Sequence, residues 1–331
     1  MTAAKKRGFP AKIGIRSEHR ICLLPSQTRA SVAVKGNERE TAMKTASRGK
    51  PEQMPHKIEE RVARHYARND LEKAILDALV ALGKDPDRLQ SSDLSPVDEF
   101  HTGGRQATID FAEQIGFTTD MQLLDIGCGI GGASRFFAEE RGCRVTGIDL
   151  TADYVRTAQA LARRVGLDRR VTYRQASALD LPFDAGTFDG AYMMHVGMNI
   201  EDKPGLFAEV RRVLRPDGLF AIFDMMRTGD GDLSYPVHWA ATAESSFVAS
   251  AAEYRDGLER AGFDVAKVRD RREFALAFFR QVSTRAAEAG GPSPLGLHIL
   301  MKTDVPQKLA NVLGNLERGL IAPTEIVCRA R

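Results

Sequence analysis

Long apolar runs are missing from this chain. No stretch approaches the roughly 18 residues that a bilayer-crossing helix needs, so no transmembrane helix and no membrane partner are expected. Cysteine is scarce: Cys22, Cys128, Cys143 and Cys328 are the four in 331 residues. They show no C-x-x-C or other metal-ligand spacing and no secretory signal precedes them, which predicts reduced thiols, no bound metal and a cytoplasmic location. A strong charge of one sign is also lacking, for the net charge is +3. That balance is uneven. Residues 1–42 hold nine Lys or Arg against three acids, so the remaining 289 residues sum to −3. A nucleic-acid binder is expected to carry its positive charge on the fold. Here the basic excess sits on a segment without periodicity, so no nucleic-acid partner is expected. Residues 1–42 read as disordered or as an extension upstream of the true start, with Met43 or Met54 as alternative initiators; their poverty in acids also admits a targeting peptide.

What is present is a strand–helix alternation. Residues 57–83 read as helix, divided at Asn69-Asp70, with Asp70 as N-cap of the second half and Gly83 as its end. Residues 84–98, with Asp85-Pro86 and Ser95-Pro96, read as loop, and Thr108 to Ile115 as helix. Strands are then predicted at Leu123–Ile126, Arg144–Asp149, Val171–Arg174, Asp189–Met194 and Leu219–Phe223. Helices are predicted at Ala133–Arg141, Ala152–Val165 and Lys203–Leu214, and Pro216-Asp217-Gly218 reads as a turn. Such alternation makes right-handed βαβ units and a parallel sheet. Residues 225–250 read as loop, Ala251–Ala261 as helix and Phe263–Val268 as strand. Residues 273–289 and 304–318 read as helices before a last strand from Thr324 to Ala330.

The segment Leu124-Asp125-Ile126-Gly127-Cys128-Gly129-Ile130-Gly131-Gly132 runs from a strand through glycines into a helix. Glycines let the backbone turn tightly and approach a ligand. The helix behind them presents free N–H groups and a positive dipole end. Asp149 ends the next strand, 18 residues after Gly131, where a carboxylate can accept both hydroxyl hydrogens of a ribose. A dinucleotide site reads G-x-G-x-x-G, whereas here Asp125 precedes glycines spaced by two. Asp125 would repel a pyrophosphate and attract the ammonium of a methionyl group.

These residues resemble motif I of the class I S-adenosylmethionine-dependent methyltransferases, with Asp149 matching their ribose-binding acid. The resemblance continues at Ala176 to Phe183, Gly186-Thr187-Phe188-Asp189 and Val213 to Gly218, and covers roughly residues 100–265. It implies a Rossmann-like α/β fold: a seven-stranded, mostly parallel sheet flanked by helices, with an N-terminal helical cap and a helical insertion near the C-terminus. The boundaries expected are 1–55 for the extension, 56–120 for the cap, 121–272 for the cofactor-binding core and 273–331 for the insertion and final strand. S-adenosylmethionine is the implied cofactor, with contacts at Asp125, Gly127, Cys128, Gly129, Gly131, Asp149, Leu150 and Met194. In that family the residue after the third strand touches the adenine and is often Asp. Here it is Ser177, so the adenine amine would be read by a hydroxyl or by the backbone of Ala178 and Leu179. Within the class, the segment Asp98 to Arg105 loosely resembles one that precedes motif I in the sarcosine/dimethylglycine N-methyltransferase group, and the ubiquinone/menaquinone C-methyltransferases are similar.

Methyl transfer from a sulfonium is an in-line displacement with a neutral leaving group. It needs alignment and exclusion of water, and a general base only for some acceptors. His195 and Asp224, at the ends of the fourth and fifth strands, are the candidate catalytic residues; each can equally be structural. His101 and Arg105 are candidate cofactor residues, Arg105 as a carboxylate clamp. Tyr235, His238 and Trp239 are candidate substrate residues, as cation–π partners of an ammonium or as caps on the sheet's apolar edge. The expected function is methylation of a small molecule, at an amine nitrogen ahead of carbon or oxygen, by a monomer or homodimer. A non-catalytic cofactor-binding module and a dehydrogenase are the rivals.

Overall fold

From Gln122 onward the strand–helix alternation builds a seven-stranded sheet in the computed structural model, which describes residues 54–288, 291, 293–301 and 303–331. The readings placed on residues 1–53 lie outside the described residues. The strands are β1 (Gln122–Ile126), β2 (Arg144–Asp149), β3 (Val171–Gln175), β4 (Phe188–Met194), β5 (Leu214–Arg227), β6 (Phe263–Asp270) and β7 (Ile321–Ala330). Their order is β3-β2-β1-β4-β5-β7-β6. Pairings from β3 across to β5 are parallel, and β7 is antiparallel to both β5 and β6. The chain steps from β1 out to β3 and returns to β4 on the other side of β1. The connections after β1 and β4 therefore diverge, and a crevice opens at the carboxyl ends of these strands.

Ten helices accompany the sheet among the described residues. Four precede it: α1 (Met54–Tyr66), α2 (Leu71–Ala81), α3 (Ser91–Asp98) and α4 (Gly104–Ala112). Next come α5 (Gly132–Glu140), α6 (Ala152–Arg164), α7 (Lys203–Val213) and α8 (Ala251–Arg260). Two more, α9 (Arg272–Glu288) and α10 (Val305–Glu317), lie between β6 and β7. No helix among the described residues is long and apolar enough to cross a membrane.

Period-two alternation places successive strand side chains on opposite faces. Leu123, Tyr192, Ala221, Phe223 and Val327 join Phe111 of α4, Phe136 and Phe137 of α5 and Val155 of α6 in one core. Their neighbours Leu124, Ile126, Met193, Ile222 and Ile326 pack instead with Leu206, Phe207 and Val210 of α7 and with Tyr254 and Leu258 of α8. Two smaller cores extend the fold. One joins α2 and α3 to Tyr154 and Leu300, and the other joins Trp239 and Met225 to α9 and α10.

The structure corrects several local readings. Ser91–Asp98 is helix α3, not loop: Leu94 and Val97 are fully buried, and the Asp93 carboxylate accepts the Gln90 N–H at 2.9 Å. Burial of that apolar pair outweighs the break signalled by Pro96. Asp70 precedes α2 in a left-handed conformation and makes no side-chain cap. Pro216 to Gly218 lies inside β5, where the register against β4 skips between Phe188 and Gly190. Met225 to Arg227 is strand rather than loop, because β7 pairs with it as far as Ile321.

Candidate functional site

The crevice at the strand ends is a cavity of about 230 Å³. Its floor is the turn after β1. Gly129 lines it with a φ of +54°, and a Cβ there would meet no protein atom within 4 Å, so glycine leaves that space to a ligand. Gly131 is needed for a different reason: its φ is +85° and a Cβ would lie 2.3 Å from the Tyr173 hydroxyl oxygen, so it packs and does not line the cavity. Helix α5 starts directly behind this turn, with Gly131 as its N-cap.

Asp149 closes the far side. Its Oδ2 accepts the Gly129 N–H at 3.0 Å and its Oδ1 accepts the Thr151 N–H at 2.8 Å. Each oxygen keeps a lone pair for a ligand hydroxyl. Burial raises its pKa. Asp125 is buried below the turn, where Ser134 Oγ donates to its Oδ2 at 2.5 Å. Burial pushes this carboxyl up to about 7, so near neutral pH it is charged only in part.

Seven carboxyl groups line the cavity, from Glu59, Asp98, Glu99, Asp125, Asp149, Glu201 and Asp202. No Lys or Arg does so among the described residues. Such a wall repels a pyrophosphate and favours a ligand carrying positive charge. Several of its polar atoms are buried without a hydrogen bond in the structure: Asp98 Oδ1, His101 Nδ1 and Tyr154 Oη. Buried polar groups are ordinarily paired, so these orphans mark where a ligand's donors and acceptors fit.

The segment between α3 and α4 holds this wall in place. Arg135 of α5 donates to Asp98 Oδ2 at 2.5 Å, and burial pushes Asp98 up to about 6. Thr108 Oγ1 donates to Glu99 Oε2 at 2.7 Å, and His101 Nε2 lies 3.0 Å from both. Burial alone would raise Glu99; the hydrogen bonds from His101 and Thr108 outweigh it and hold the carboxyl below its usual range. Glu99 is therefore a fixed negative charge.

His195 follows β4 with a left-handed φ of 57°, uncommon for a residue other than glycine and frequent at functional sites. Its backbone N–H donates to Phe223 O at 2.7 Å and its Nδ1 lies 3.3 Å from the same carbonyl, while the Thr102 N–H points at Nε2 from 3.4 Å. This pattern assigns the proton to Nδ1 and leaves Nε2 an acceptor. Burial, with His101 and His238 nearby, lowers the His195 pKa well below the usual value, so the ring is neutral. The His238 ring stacks 6.5 Å away.

Of the residues singled out in the sequence, the cavity gathers Asp125, Gly127, Cys128, Gly129, Asp149, Leu150, Ala178, Leu179, Met194, His101, His195 and His238. The others stand outside its lining. Asp224 is fully buried, with Tyr254 Oη donating to its Oδ2 at 2.5 Å and the Met225 N–H to its Oδ1 at 2.9 Å. Both oxygens are used for structure. Arg105 stacks 4.5 Å over the Phe136 ring, with Glu99 and Glu140 each 3.6 Å from its guanidinium, because the buried Glu99 draws it to the outer side of the wall. Tyr235 and Trp239 pack in the core beside α9 and α10, and Trp239 Nε1 donates to Ser246 Oγ at 2.9 Å. They cap apolar structure and do not face the cavity. Ser177 Oγ donates to Glu59 and accepts the Leu179 N–H at 2.9 Å, so Glu59 and the neighbouring backbone already engage its hydroxyl.

Sequence reasoning missed Glu59, Asp98, Glu99, Tyr154 and the whole lining face of α1. Ile58, Val62 and Tyr66 carry a helical period within the predicted helix, and they line the cavity. Period alone cannot separate a face that packs on protein from one that packs on a ligand.

Comparison with known proteins agrees with this geometry. A family model described as a methyltransferase domain matches residues 124–222. The sterol 24-C-methyltransferase of Eremothecium gossypii is 29% identical over 166 residues, 48% of this chain and 44% of that protein. Phosphoethanolamine N-methyltransferase 1 of Arabidopsis thaliana is 34% identical over 127 residues, 38% of this chain and 26% of that protein. The chain thus spans less than half the length of these curated relatives. Among solved structures, geranyl diphosphate C-methyltransferase from Streptomyces coelicolor, in complex with Mg2+, geranyl diphosphate and S-adenosyl-L-homocysteine, matches with a TM-score of 0.61 at 20% identity, covering 83% of this chain and 98% of that one. Likeness at that identity speaks for the fold.

Proposed function

We propose that this chain, whose residues 124–222 match a methyltransferase domain model, binds S-adenosylmethionine and transfers its methyl group to a small-molecule acceptor, with an amine nitrogen as the receiving atom. The observation that carries the reading is a cavity at the strand ends lined by seven carboxyls and no Lys or Arg among the described residues, over a glycine turn with room for a ligand. S-adenosylmethionine supplies an electrophilic methyl on a sulfonium, and its positive charges suit this wall. Asp149 would hold the ribose and the Gly127–Gly129 turn would back the amino-acid portion. Asp125, Asp98 and Glu99 would face its cationic part, and Ala178 and Leu179 would flank the adenine.

The carboxyl-rich lining supports the choice of nitrogen, because an amine gains positive charge as it is methylated. His195, kept neutral by burial and with its Nε2 facing the Thr102 N–H, would orient the acceptor rather than deprotonate it, and a neutral amine needs no base. The arene-rich wall of Tyr66, Phe100 and His238 favours a second reading, a carbon acceptor, in line with the sterol 24-C-methyltransferase named above. Incubation with S-adenosylmethionine and a panel of amines, phenols and quinols separates the two, read by release of S-adenosylhomocysteine. Turnover with an amine is expected. Turnover confined to phenols or quinols overturns the nitrogen assignment, and absence of cofactor binding in calorimetry overturns the whole reading.

A further inference from the structure

A second cavity of about 230 Å³ adjoins the first and shares Tyr66, Phe100, His238 and Leu300 with it. Its lining lacks the carboxyl-rich wall and brings in a cation. Lys308, in the first turn of α10, lines it and is only 8% exposed. Among the described residues its amine has no hydrogen-bond or ion-pair partner. The lysine stem is packed away while its amine, unpaired, is the part left to meet an anion in this cavity. Asp304 also lines this cavity, but it is exposed at the N-cap of α10 and pairs with Lys308 only through the backbone, its carbonyl accepting the Lys308 N–H at 2.9 Å. The 13-residue α10 starts at the cavity rim and adds its positive dipole end. His65 stands on the opposite wall, its Nε2 3.0 Å from the His238 carbonyl oxygen.

We propose that the methyl acceptor carries an oxyanion, a carboxylate or a phosphate, that Lys308 binds in this side cavity while the acceptor's reacting end lies beside His195. This rests on the methyl-transfer reading and adds the acceptor's class and orientation. The two cavities sort the ligands by charge: the carboxylate-lined one repels an anion, and the side cavity is the place on this shared wall where an anion meets a buried cation. Tyr66, Phe100 and Leu300 between them call for an apolar or aromatic body of short length. His238, which lines both cavities, is held neutral by burial, with His65 and Lys308 nearby lowering its pKa further, so it leaves that body unopposed by charge.

The test uses the full chain loaded with S-adenosylhomocysteine. Phenylpropanoate, phenylpropyl phosphate, phenylpropanol and phenylpropylamine are titrated in turn by calorimetry. An anionic probe is expected to bind and the alcohol and amine to bind more weakly; the better of the two anions identifies which oxyanion the site takes. Lys308→Met is expected to weaken the anion by about tenfold or more, the worth of a charge-assisted hydrogen bond, with alcohol binding unchanged. Lys308→Arg keeps the positive charge and is expected to retain the preference, which separates lost recognition from lost folding. The proposal is overturned if neither anion binds the wild type, or if Lys308→Met binds anions as the wild type does. It is also overturned if that variant loses S-adenosylhomocysteine affinity and nothing else, for Lys308 then serves the cofactor. Failure of the wild type to bind S-adenosylhomocysteine refutes the methyl-transfer reading and is seen before any probe is added.

Discussion

Replacing Asp149 by alanine is expected to weaken S-adenosylhomocysteine binding by about two to four orders of magnitude. The figure follows from the carboxylate's surroundings. Gly129 and Thr151 donate their backbone N–H groups to its two oxygens, and it ends β2 facing the cavity. Two ribose hydroxyls donating to the remaining lone pairs make charge-assisted bonds worth roughly 1.5–3 kcal/mol each, or about 3–6 kcal/mol together. Alanine also strips the acceptor from the Gly129 and Thr151 N–H groups, which loosens the turn itself. Asp149→Asn keeps one carbonyl acceptor and is expected to fall between wild type and alanine. Calorimetric titration with S-adenosylhomocysteine measures the loss, and thermal melting followed by circular dichroism shows whether the fold is retained. An alanine variant that melts as the wild type and binds within about threefold of it would refute the ribose assignment.

Three further outcomes follow from the same geometry. The Asp125 carboxyl is raised by burial from 3.8 to about 7, which corresponds to roughly 4 kcal/mol favouring the protonated form in the folded state. A raised pKa contributes stability that is complete below the unfolded value and is lost as pH rises through the folded one. Asp125→Asn is therefore expected to flatten the decline in stability between about pH 4 and about pH 7, and denaturant unfolding across that range would contradict this if the two profiles ran parallel. Gly131→Ala forces a Cβ to within 2.3 Å of the Tyr173 hydroxyl at a φ of +85°; a loss of about 1–3 kcal/mol is expected, and an unchanged melting temperature would show that the turn relaxes freely. His195→Asn suits the left-handed backbone, since asparagine tolerates it. With His195 orienting the acceptor, its loss is expected to lower kcat/KM by roughly tenfold with S-adenosylhomocysteine affinity intact, and unchanged steady-state kinetics would remove His195 from acceptor positioning.

How much of this was legible in the sequence depended on how locally each signal was written. The β1 turn, the α5 start and Asp149 form one strand–turn–helix–strand unit, and its period-two and glycine pattern placed it correctly. The β2 limits coincide with those read from sequence, Arg144 to Asp149. Helix α3 was hidden because Asp85-Pro86 and Ser95-Pro96 are local breakers, whereas what holds it is burial of Leu94 and Val97 against residues distant in sequence. Trp239 and Tyr235 looked like ligand aromatics from their loop, yet α9 and α10, some tens of residues later, close over them.

Charge shows the same limit more sharply. Residues 43–331 sum to −3, which describes a bland surface and says nothing of how the charges are sorted. The fold gathers seven carboxyls around one cavity and leaves one buried lysine in the next. Arg105, the cation that sequence proximity would have put into the first cavity, is instead held outside it by Glu99 and the Phe136 ring. On the proposed reading, that exclusion leaves the first cavity suited to positive charge. A guanidinium inside it would neutralise the wall that distinguishes a sulfonium from a phosphate, and would offer an anionic acceptor a binding site where the cofactor belongs. The separation of Arg105 and Lys308 from the carboxylate wall is thus a physical condition for two ligands of opposite charge to occupy adjoining cavities in one orientation.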